Sequence, residues 1–354
     1  MPHACRTRIA LASVLAASAL LGACRSSPDT ADDAPRVESP SDSPANPAAP
    51  GNASAPASFL AVLAHDGRTG QRLSWNDLVD RAAAAHVVII AEEHDLDPAQ
   101  MMAADLFAAV LERRPNAALA LEFYERDQQV HLDDYLAGLT TTEQFVAATG
   151  RRAGNDPAGH RAMVEAAKAA GVPAIAANAP RRYVRLARSE GYDRLRELTP
   201  EQQRLFNIPD PMPSGGYYER FITLMTGMGD HSAPPAAAGP AQPDEQRIAQ
   251  AEAIFRSQAT WDATMADSVV TASREYRPVF LVIGRFHTDN DGGTLQLIRR
   301  ARPNLRVLTI SCSRGLNPTL LEADRDRADI VVYADDPPEP AAAPEAASEP
   351  NAGN

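Results

Sequence analysis

The sequence predicts an α/β fold: a largely parallel sheet flanked by helices, with a helical cap insertion. From Ser74 onward, short apolar runs alternate with longer amphipathic stretches, the pattern of strands and helices packed around one sheet. The strand-like runs are apolar throughout, as expected where both faces of a parallel sheet are covered. Several begin just after a helix-ending signal, at Arg114-Pro115-Asn116, Ala170-Gly171 and Arg302-Pro303-Asn304.

Taken in order, strands are predicted at Val87–Ala91, Ala117–Glu122, Val172–Ala177, Val279–Ile283, Leu305–Ile310 and Ile330–Tyr333. Helical periodicity falls between them at Trp75–Ala84, Ala99–Glu112, Arg126–Ala137, Arg161–Ala169, Arg181–Arg188, Glu245–Ser273 and Thr294–Arg300. From about Leu198 the rhythm breaks at Pro200, Pro209, Pro211, Pro213 and Gly215-Gly216, and then comes a helical Tyr217–Gly227. We read residues 198–229 as a cap over one edge of the sheet, and 230–244 as a flexible loop.

The chain has 354 residues with 44% hydrophobic and 23% charged side chains, enough for a sizeable core and close to ordinary globular usage. A net charge of −12 argues against broad attraction to a phosphate backbone, so nucleic acid is excluded as a partner. Prolines crowd into three segments, seven between Pro28 and Pro56, four between Pro234 and Pro243 and five between Pro337 and Pro350. Their Ala, Ser, Gly and acidic surroundings bury too little apolar surface to offset the entropy of ordering. The expected organisation is a tether at 24–58, a folded domain at 59–335 and a tail at 336–354.

Residues 1–23 read as a signal peptide. Arg6 and Arg8 precede the apolar run Ile9–Leu21, and Leu21-Gly22-Ala23-Cys24 is a lipoprotein box. The run is short for a bilayer span, which needs ~20 apolar residues. Cys24 is then the lipidation site, carrying acyl chains such as palmitate. Arg25, where an inner-membrane retention signal would place Asp, favours the outer membrane. Cys312 is left alone in the folded region and comes after an apolar run, the setting of a small buried hydrophobe.

In an open parallel sheet, ligands bind beyond the carboxyl ends of the strands. There the predicted strands deliver Glu92 and His94, Glu122, Asn178 and His287 to one edge. His94 and His287 each stand three residues after a small residue, in Ala91-Glu92-Glu93-His94 and Gly284-Arg285-Phe286-His287, a spacing that returns the imidazole towards the strand end. Two imidazoles with Glu92 and Glu122 suit a divalent metal or general acid–base work; equally, such groups can cap helices and satisfy one another. His65, His86, His131 and His160 carry no such pattern and suit solvated or local roles. In the cap, Tyr217, Tyr218 and His231 offer a phenol/imidazole set that could face a planar or metal-bearing ligand, since phenolate and imidazole can both ligate haem iron; equally, the tyrosines can pack the cap.

These residues resemble a known family. Ala91-Glu92-Glu93-His94-Asp95, Leu119 to Gln129, Ala176-Ala177-Asn178-Ala179-Pro180-Arg181, Trp261-Asp262-Ala263-Thr264-Met265-Ala266 and Gly284-Arg285-Phe286-His287 together resemble the ChaN haem-binding lipoproteins, across about Leu73 to Ser311. That group is similar to TraB, Tiki and erythromycin-esterase proteins, marked by paired GxxH motifs and a glutamate; here the first glycine is Ala91. The resemblance implies an α/β core with a helical cap, haem binding outside the cytoplasm and a role in iron acquisition.

These observations support two function classes. The first is a haem-binding lipoprotein of the cell envelope in haem or iron uptake, using Tyr217, Tyr218 or His231 with apolar contacts from Phe221, Met225 and Met228. The second is a metal-assisted or acid–base hydrolase using Glu92, His94, Glu122 and His287, with Asn178 orienting substrate. Binding is favoured over catalysis. The expected partners are haem and, through the lipid anchor, a membrane; a homodimer is left open.

Overall fold

The structure is a computed structural model that describes residues 54–152, 156–227 and 245–335. The signal peptide, Cys24, Met228, His231, the segment 230–244 and the tail 336–354 lie outside the described residues. Among the described residues no helix is long and apolar enough to cross a membrane.

A seven-stranded sheet forms the centre, in the order β1-β7-β6-β2-β5-β3-β4. Its strands are β1 (Val62–Asp66), β2 (Val87–Glu92), β3 (Ala118–Glu125), β4 (Ala174–Asn178), β5 (Val279–Gly284), β6 (Val307–Arg314) and β7 (Ile330–Ala334). All pairs are parallel except β1 with β7. The uniformly apolar runs are explained by burial on both faces: every residue of β2 and of β5 is buried.

Alternation along the strands sorts side chains between two cores. Val88, Ile90, Leu119, Leu121, Phe280 and Val282 face α2 (Trp75–Ala84), α3 (Asp97–Arg113) and α6 (Ala158–Ala170). Val87, Ile89, Ala118, Ala120, Val279 and Leu281 face α10 (Glu245–Ala272) and α11 (Gly293–Ala301). Each fully buried Val, Leu, Ile or Phe contributes about 1.5–3 kcal/mol of transfer free energy, so the sheet is a rigid base for whatever stands at its rim. α2 shows how local signals set the boundaries. Ser74 caps it through a reciprocal bond with Asp77, and Trp75, Leu78, Val79 and Ala82 bury one face at helical spacing.

The remaining helices are α1 (Ala57–Leu60), α4 (Gln129–Leu136), α5 (Thr142–Ala148), α7 (Arg181–Arg196), α8 (Pro200–Gln203) and α9 (Gly216–Thr226). α9 is the helix expected in the cap. It packs its Tyr217 and Phe221 on Phe255 of α10 and against Phe286, just beyond β5.

Some expectations need correcting. β1 has no counterpart among the predicted strands, because its five residues end in His65-Asp66 and read as the approach to a turn; antiparallel pairing with β7 makes it a strand. The expected tether reaches residue 58, but Ala57 and Ser58 lie in α1, and the Ser58 hydroxyl bonds Asp105 on α3. β3 does not stop at Glu122 but runs on to Glu125, through a register irregularity between Leu121 and Glu125.

Candidate functional site

The carboxyl ends of β2, β3, β4 and β5 share one rim of the sheet, the edge at which parallel sheets gather loops and helix N-termini. Glu92 ends β2 in register with Gly284 and is 2% exposed. A carboxylate this deep is costly unless its charge is held. Glu92 accepts from His160 Nε2 at 2.7 Å on one oxygen, and from His94 Nδ1 at 3.1 Å and Gln100 Nε2 at 3.3 Å on the other. Burial raises its pKa, but the bonds from His160 and His94 outweigh that and leave it below the usual glutamate value.

This network assigns the protons. Because ionised Glu92 can only accept, the neutral His94 ring carries its proton on Nδ1 and keeps its lone pair on Nε2. That Nε2 lies beside Gly284, where an added Cβ would come within 3.2 Å of it. Gly284 has φ −60, so what it provides is space and not an unusual backbone. Ala91, at the corresponding place before His94, is fully buried in β2 and paired with Ile283 and Ser311; ordinary strand geometry suits alanine there. The left-handed residue of this turn is Asp95, with φ 65.

Glu122 sits where the β3–β5 ladder ends at Leu121 and Val282. One oxygen accepts the Gly284 N–H at 2.6 Å, and the other stands 3.8 Å from His287 Nε2. His287 in turn donates from Nδ1 to Asp262 at 2.7 Å. Asp262, on α10 and fully buried, also accepts from the hydroxyls of Thr294 and Tyr217, each at 2.7 Å. Burial disfavours a charged His287, but Asp262 and then Glu122 outweigh it and raise its pKa. Asn178, at the end of β4, accepts from the Ala179 N–H at 2.9 Å.

Two hollows meet at this rim. A polar cleft of about 550 Å³ is lined by Glu92, His94, Glu122 and Asn178 together with Phe123 and Trp261. An apolar hollow of about 350 Å³ adjoins it, lined by Phe221, Leu224, Met225 and Phe286, and it shares His94 and Glu122 and adds His287. The structure thus gathers Glu92, His94, Glu122, Asn178 and His287 on one rim.

The divalent-metal expectation does not follow from that gathering. Among the described residues no group of three or more His, Cys, Asp or Glu is arranged to hold a metal ion. Both oxygens of Glu92 are taken up by side chains, and one of Glu122 by a backbone N–H. Tyr217, expected to offer a phenolate to haem iron, is 1% exposed and spends its hydroxyl on Asp262. Burial and the Asp262 charge hold its pKa well above the phenol value, so it keeps its proton. Tyr218 lies edge-on to Phe255 and donates to Glu252 at 3.0 Å. Phe221 is buried while Met225 is exposed.

Sequence reasoning misses three members of the network. His160, expected in a solvated or local role, is buried on α6 and bonds Glu92 across the core; a lone histidine on an apolar helix face is the available signal. Asp262 is one of four acids on α10, beside Glu245, Glu252 and Asp267, and its only signal is membership of a motif. Gln100, one turn into α3, gives no signal at all.

Comparisons with known proteins agree with the α/β fold. A family model described as haem-binding uptake, Tiki superfamily, ChaN matches residues 78–298. Among solved structures, the chain is similar to ChaN of Campylobacter jejuni, described with cofacial haem binding, at 16% identity and a TM-score of 0.56, over 77% of this chain and 96% of that one. Weaker likenesses include the type III effector HopBA1, at 17% identity and a TM-score of 0.37 over 74% of this chain and 93% of that one. An erythromycin esterase, EreC, in its open conformation gives 13% identity and a TM-score of 0.37 over 71% and 77%. Comparison with curated proteins gives no match.

Proposed function

The chain belongs to the haem-binding uptake family of the Tiki superfamily that includes ChaN, and from that premise we propose that it is a haem-binding lipoprotein of the cell envelope that takes part in haem or iron uptake. One observation carries the reading at the site. The apolar hollow of Phe221, Leu224, Met225 and Phe286 opens beside a half-exposed imidazole, which pairs a surface for a porphyrin face with a donor for its iron. The hollow is shallow, and Leu224 and Met225 remain 62% and 42% exposed. Such a site suits a protein that hands its ligand on.

Haem here is cargo, and the protein's work is to bury one face, offer a ligand and hold the ligand near a membrane. Anchoring through lipidated Cys24 on the outer membrane completes the proposal, with the proline-rich segment after it as the tether. The direct test is a haem titration of the full chain in detergent. A saturable Soret shift supports the reading, and its absence ends it. Labelled palmitate should be incorporated by the wild-type chain and lost with Cys24→Ser. Sedimentation with and without haem reads whether two copies share the ligand, as a homodimer would.

A second reading, an acid–base hydrolase, is favoured by one specific feature, the polar cleft that His94, Glu122 and Asn178 line together. There a carboxylate-oriented imidazole would take a proton from water, and Asn178 would orient the substrate. Turnover of an ester panel that falls with Glu122→Gln and His94→Ala supports it; an inactive protein with a normal haem titration removes it.

A further inference from the structure

We propose that the amino-terminal end of the sheet is a docking surface for the anionic phospholipid headgroups of a membrane, formed by Arg114, Arg277, Arg302 and Arg306 around His86. The inference rests on the lipid-anchored placement proposed above and concerns the edge of the sheet opposite the haem hollow.

Topology gathers these residues. His86 and Arg306 directly precede β2 and β6, Arg277 stands one residue further back from β5, and Arg114 leads into β3. Because these strands run parallel, their starts share one edge, and the rim with Glu92, His94 and Glu122 is at the other. Arg302, just past the end of α11, is close enough for its charge to act on His86.

Three of the guanidinium groups converge on the last carbonyls of α2 and its cap. Arg114 Nε donates to the Ala83 carbonyl at 2.9 Å, Arg306 Nη2 to that of Ala84 at 2.7 Å, and Arg277 Nη2 and Nε to those of Ala84 and Ala85 at 3.2 and 3.3 Å. The partial negative charge of a helix C-terminus lets these like charges stand together. It does not neutralise them, and each guanidinium has five N–H donors, of which only one or two are bonded here. Among the described residues none of the four arginines forms an ion pair with a carboxylate, whereas Arg81, Arg126, Arg161 and Arg327 each meet an aspartate. In a chain of net charge −12 this patch is a local exception. It acts on its own, because exposed charges more than about 8 Å away are largely screened at physiological ionic strength.

His86 adds a donor. Its Nδ1 accepts the Arg306 backbone N–H at 2.8 Å, so the neutral ring carries its proton on Nε2, which has no partner among the described residues. Burial, then Arg277, Arg306 and Arg302, hold its pKa below the ordinary 6.5.

A headgroup layer fits this patch, because Arg114, Arg277 and Arg306 are exposed and a row of phosphates meets several of them at once. α7 also presents arginines, but Arg181 and Arg182 at its start face Glu125 and Asp127. The anchor allows the contact. Val62 of β1 pairs with Ala334 at the carboxyl end of β7, so the chain enters β1 at the rim end. About thirty residues separate Cys24 from α1, up to about 100 Å when extended, and the sheet is about 20 Å from end to end. An anchored chain therefore reaches the membrane with either end, and tethering supplies the local concentration at which a weak patch decides which. With the arginines on the headgroups, the edge that carries the haem hollow is turned away from the lipid.

The experiment is co-sedimentation of the processed chain, residues 24–354 with Cys24→Ser and so without acyl chains, with vesicles of phosphatidylcholine alone or mixed with phosphatidylglycerol. Binding is expected only to the mixed vesicles and should fall as salt is raised. Each arginine near an anionic surface contributes about fivefold. Arg302→Glu, at a side chain that makes no hydrogen bond among the described residues, should therefore weaken binding by at least about tenfold while the melting temperature holds. Arg302→Lys should bind like the parent, and Arg185→Glu, at an exposed arginine of α7, should change little. Followed by NMR, the His86 imidazole should titrate at higher pH with dihexanoyl phosphatidylglycerol than with its phosphocholine counterpart, because a bound phosphate offsets the arginines. A chain that ignores the mixed vesicles overturns the proposal, and a His86 shift with inorganic phosphate alone would then mark a site for a free anion. A folded Arg302→Glu that binds like its parent overturns it too, as does loss of binding with Arg185→Glu only. Absence of palmitate from Cys24 in the wild-type chain overturns the anchored placement instead, whatever the vesicles show.

Discussion

At the end of β2, Ala91-Glu92-Glu93-His94 carries an imidazole out of the sheet with a carboxylate on its Nδ1; at the end of β5, Gly284-Arg285-Phe286-His287 does the same, with Asp262 as the carboxylate. The tetrads have equal spacing and adjacent strands, yet His94 is 55% exposed and His287 is 8% exposed. The difference lies in what covers them. α10 brings Asp262 and Gln258 onto His287, and α9 adds Tyr217 over Asp262. His94 takes its carboxylate from its own strand and meets only the edge of Phe123 as a ring neighbour. Sequence spacing therefore aims the imidazole, and the covering layer decides whether it faces a ligand or braces the fold.

The largest effect expected from this contrast is at Asp262. Asp262→Ala would leave the buried donors of His287, Thr294 and Tyr217 without their shared acceptor. A loss of about 3–5 kcal/mol is expected, as for removing one partner of a buried charged network. Urea denaturation measures it. His94→Ala, at the open end, should cost well under about 1 kcal/mol by the same measurement. Comparable losses would break the comparison.

Gly293 sharpens it with less force. A Cβ there would lie 2.3 Å from Asp262 Oδ2 and 2.6 Å from Tyr217 Cε1, both buried and bonded to each other. Gly293→Ala is expected to cost about 1–3 kcal/mol through overpacking, read from the shift in the denaturation midpoint.

The sealed end should also be sensitive to pH. Burial works against a proton on His287, but Asp262 and Glu122 outweigh it, so the folded pKa stands above the ordinary 6.5. The folded chain then binds that proton more tightly than the unfolded chain. The resulting stabilisation is fully present below pH 6.5 and is lost as the pH rises through the folded value. His287→Gln should flatten this limb of the stability–pH curve, by less than the loss at Asp262; an unchanged slope would contradict it.

Much of this is legible in the sequence. The uniformly apolar runs mark β2 and β5 almost to the residue, and the polar residues just past each strand mark the rim that holds Glu92, His94, Glu122, Asn178 and His287. The partners behind the rim are not legible. His160 lies 68 positions from Glu92, and Asp262 lies 25 from His287. Only packing of α6 and α10 on opposite faces of the sheet brings them in. β1 is illegible for a similar reason, since a five-residue edge strand depends on β7 for its pairing and not on its own pattern. A tyrosine on a cap helix looks the same in sequence whether its hydroxyl faces a ligand or, as that of Tyr217 does, a buried aspartate.

The smallest structural change with a functional readout is Gly284→Ala. At Gly293 the added methyl would meet two fixed, buried groups; at Gly284 it would meet the tip of His94, 3.2 Å from Nε2 and 3.3 Å from Cε1, and Glu122 Oε2 at 3.5 Å. The His94 ring is half exposed and can yield by a few tenths of an ångström, and φ −60 suits alanine. Stability is therefore expected to stay within about 0.5 kcal/mol of wild type. The methyl nevertheless takes up space where His94 and Glu122 line the apolar hollow, so haem affinity should fall while the melting temperature holds. A Gly284→Ala chain that loses stability like Gly293→Ala would mean that the β2 end is as closely packed as the β5 end, and that the contrast in exposure does not reflect freedom to bind.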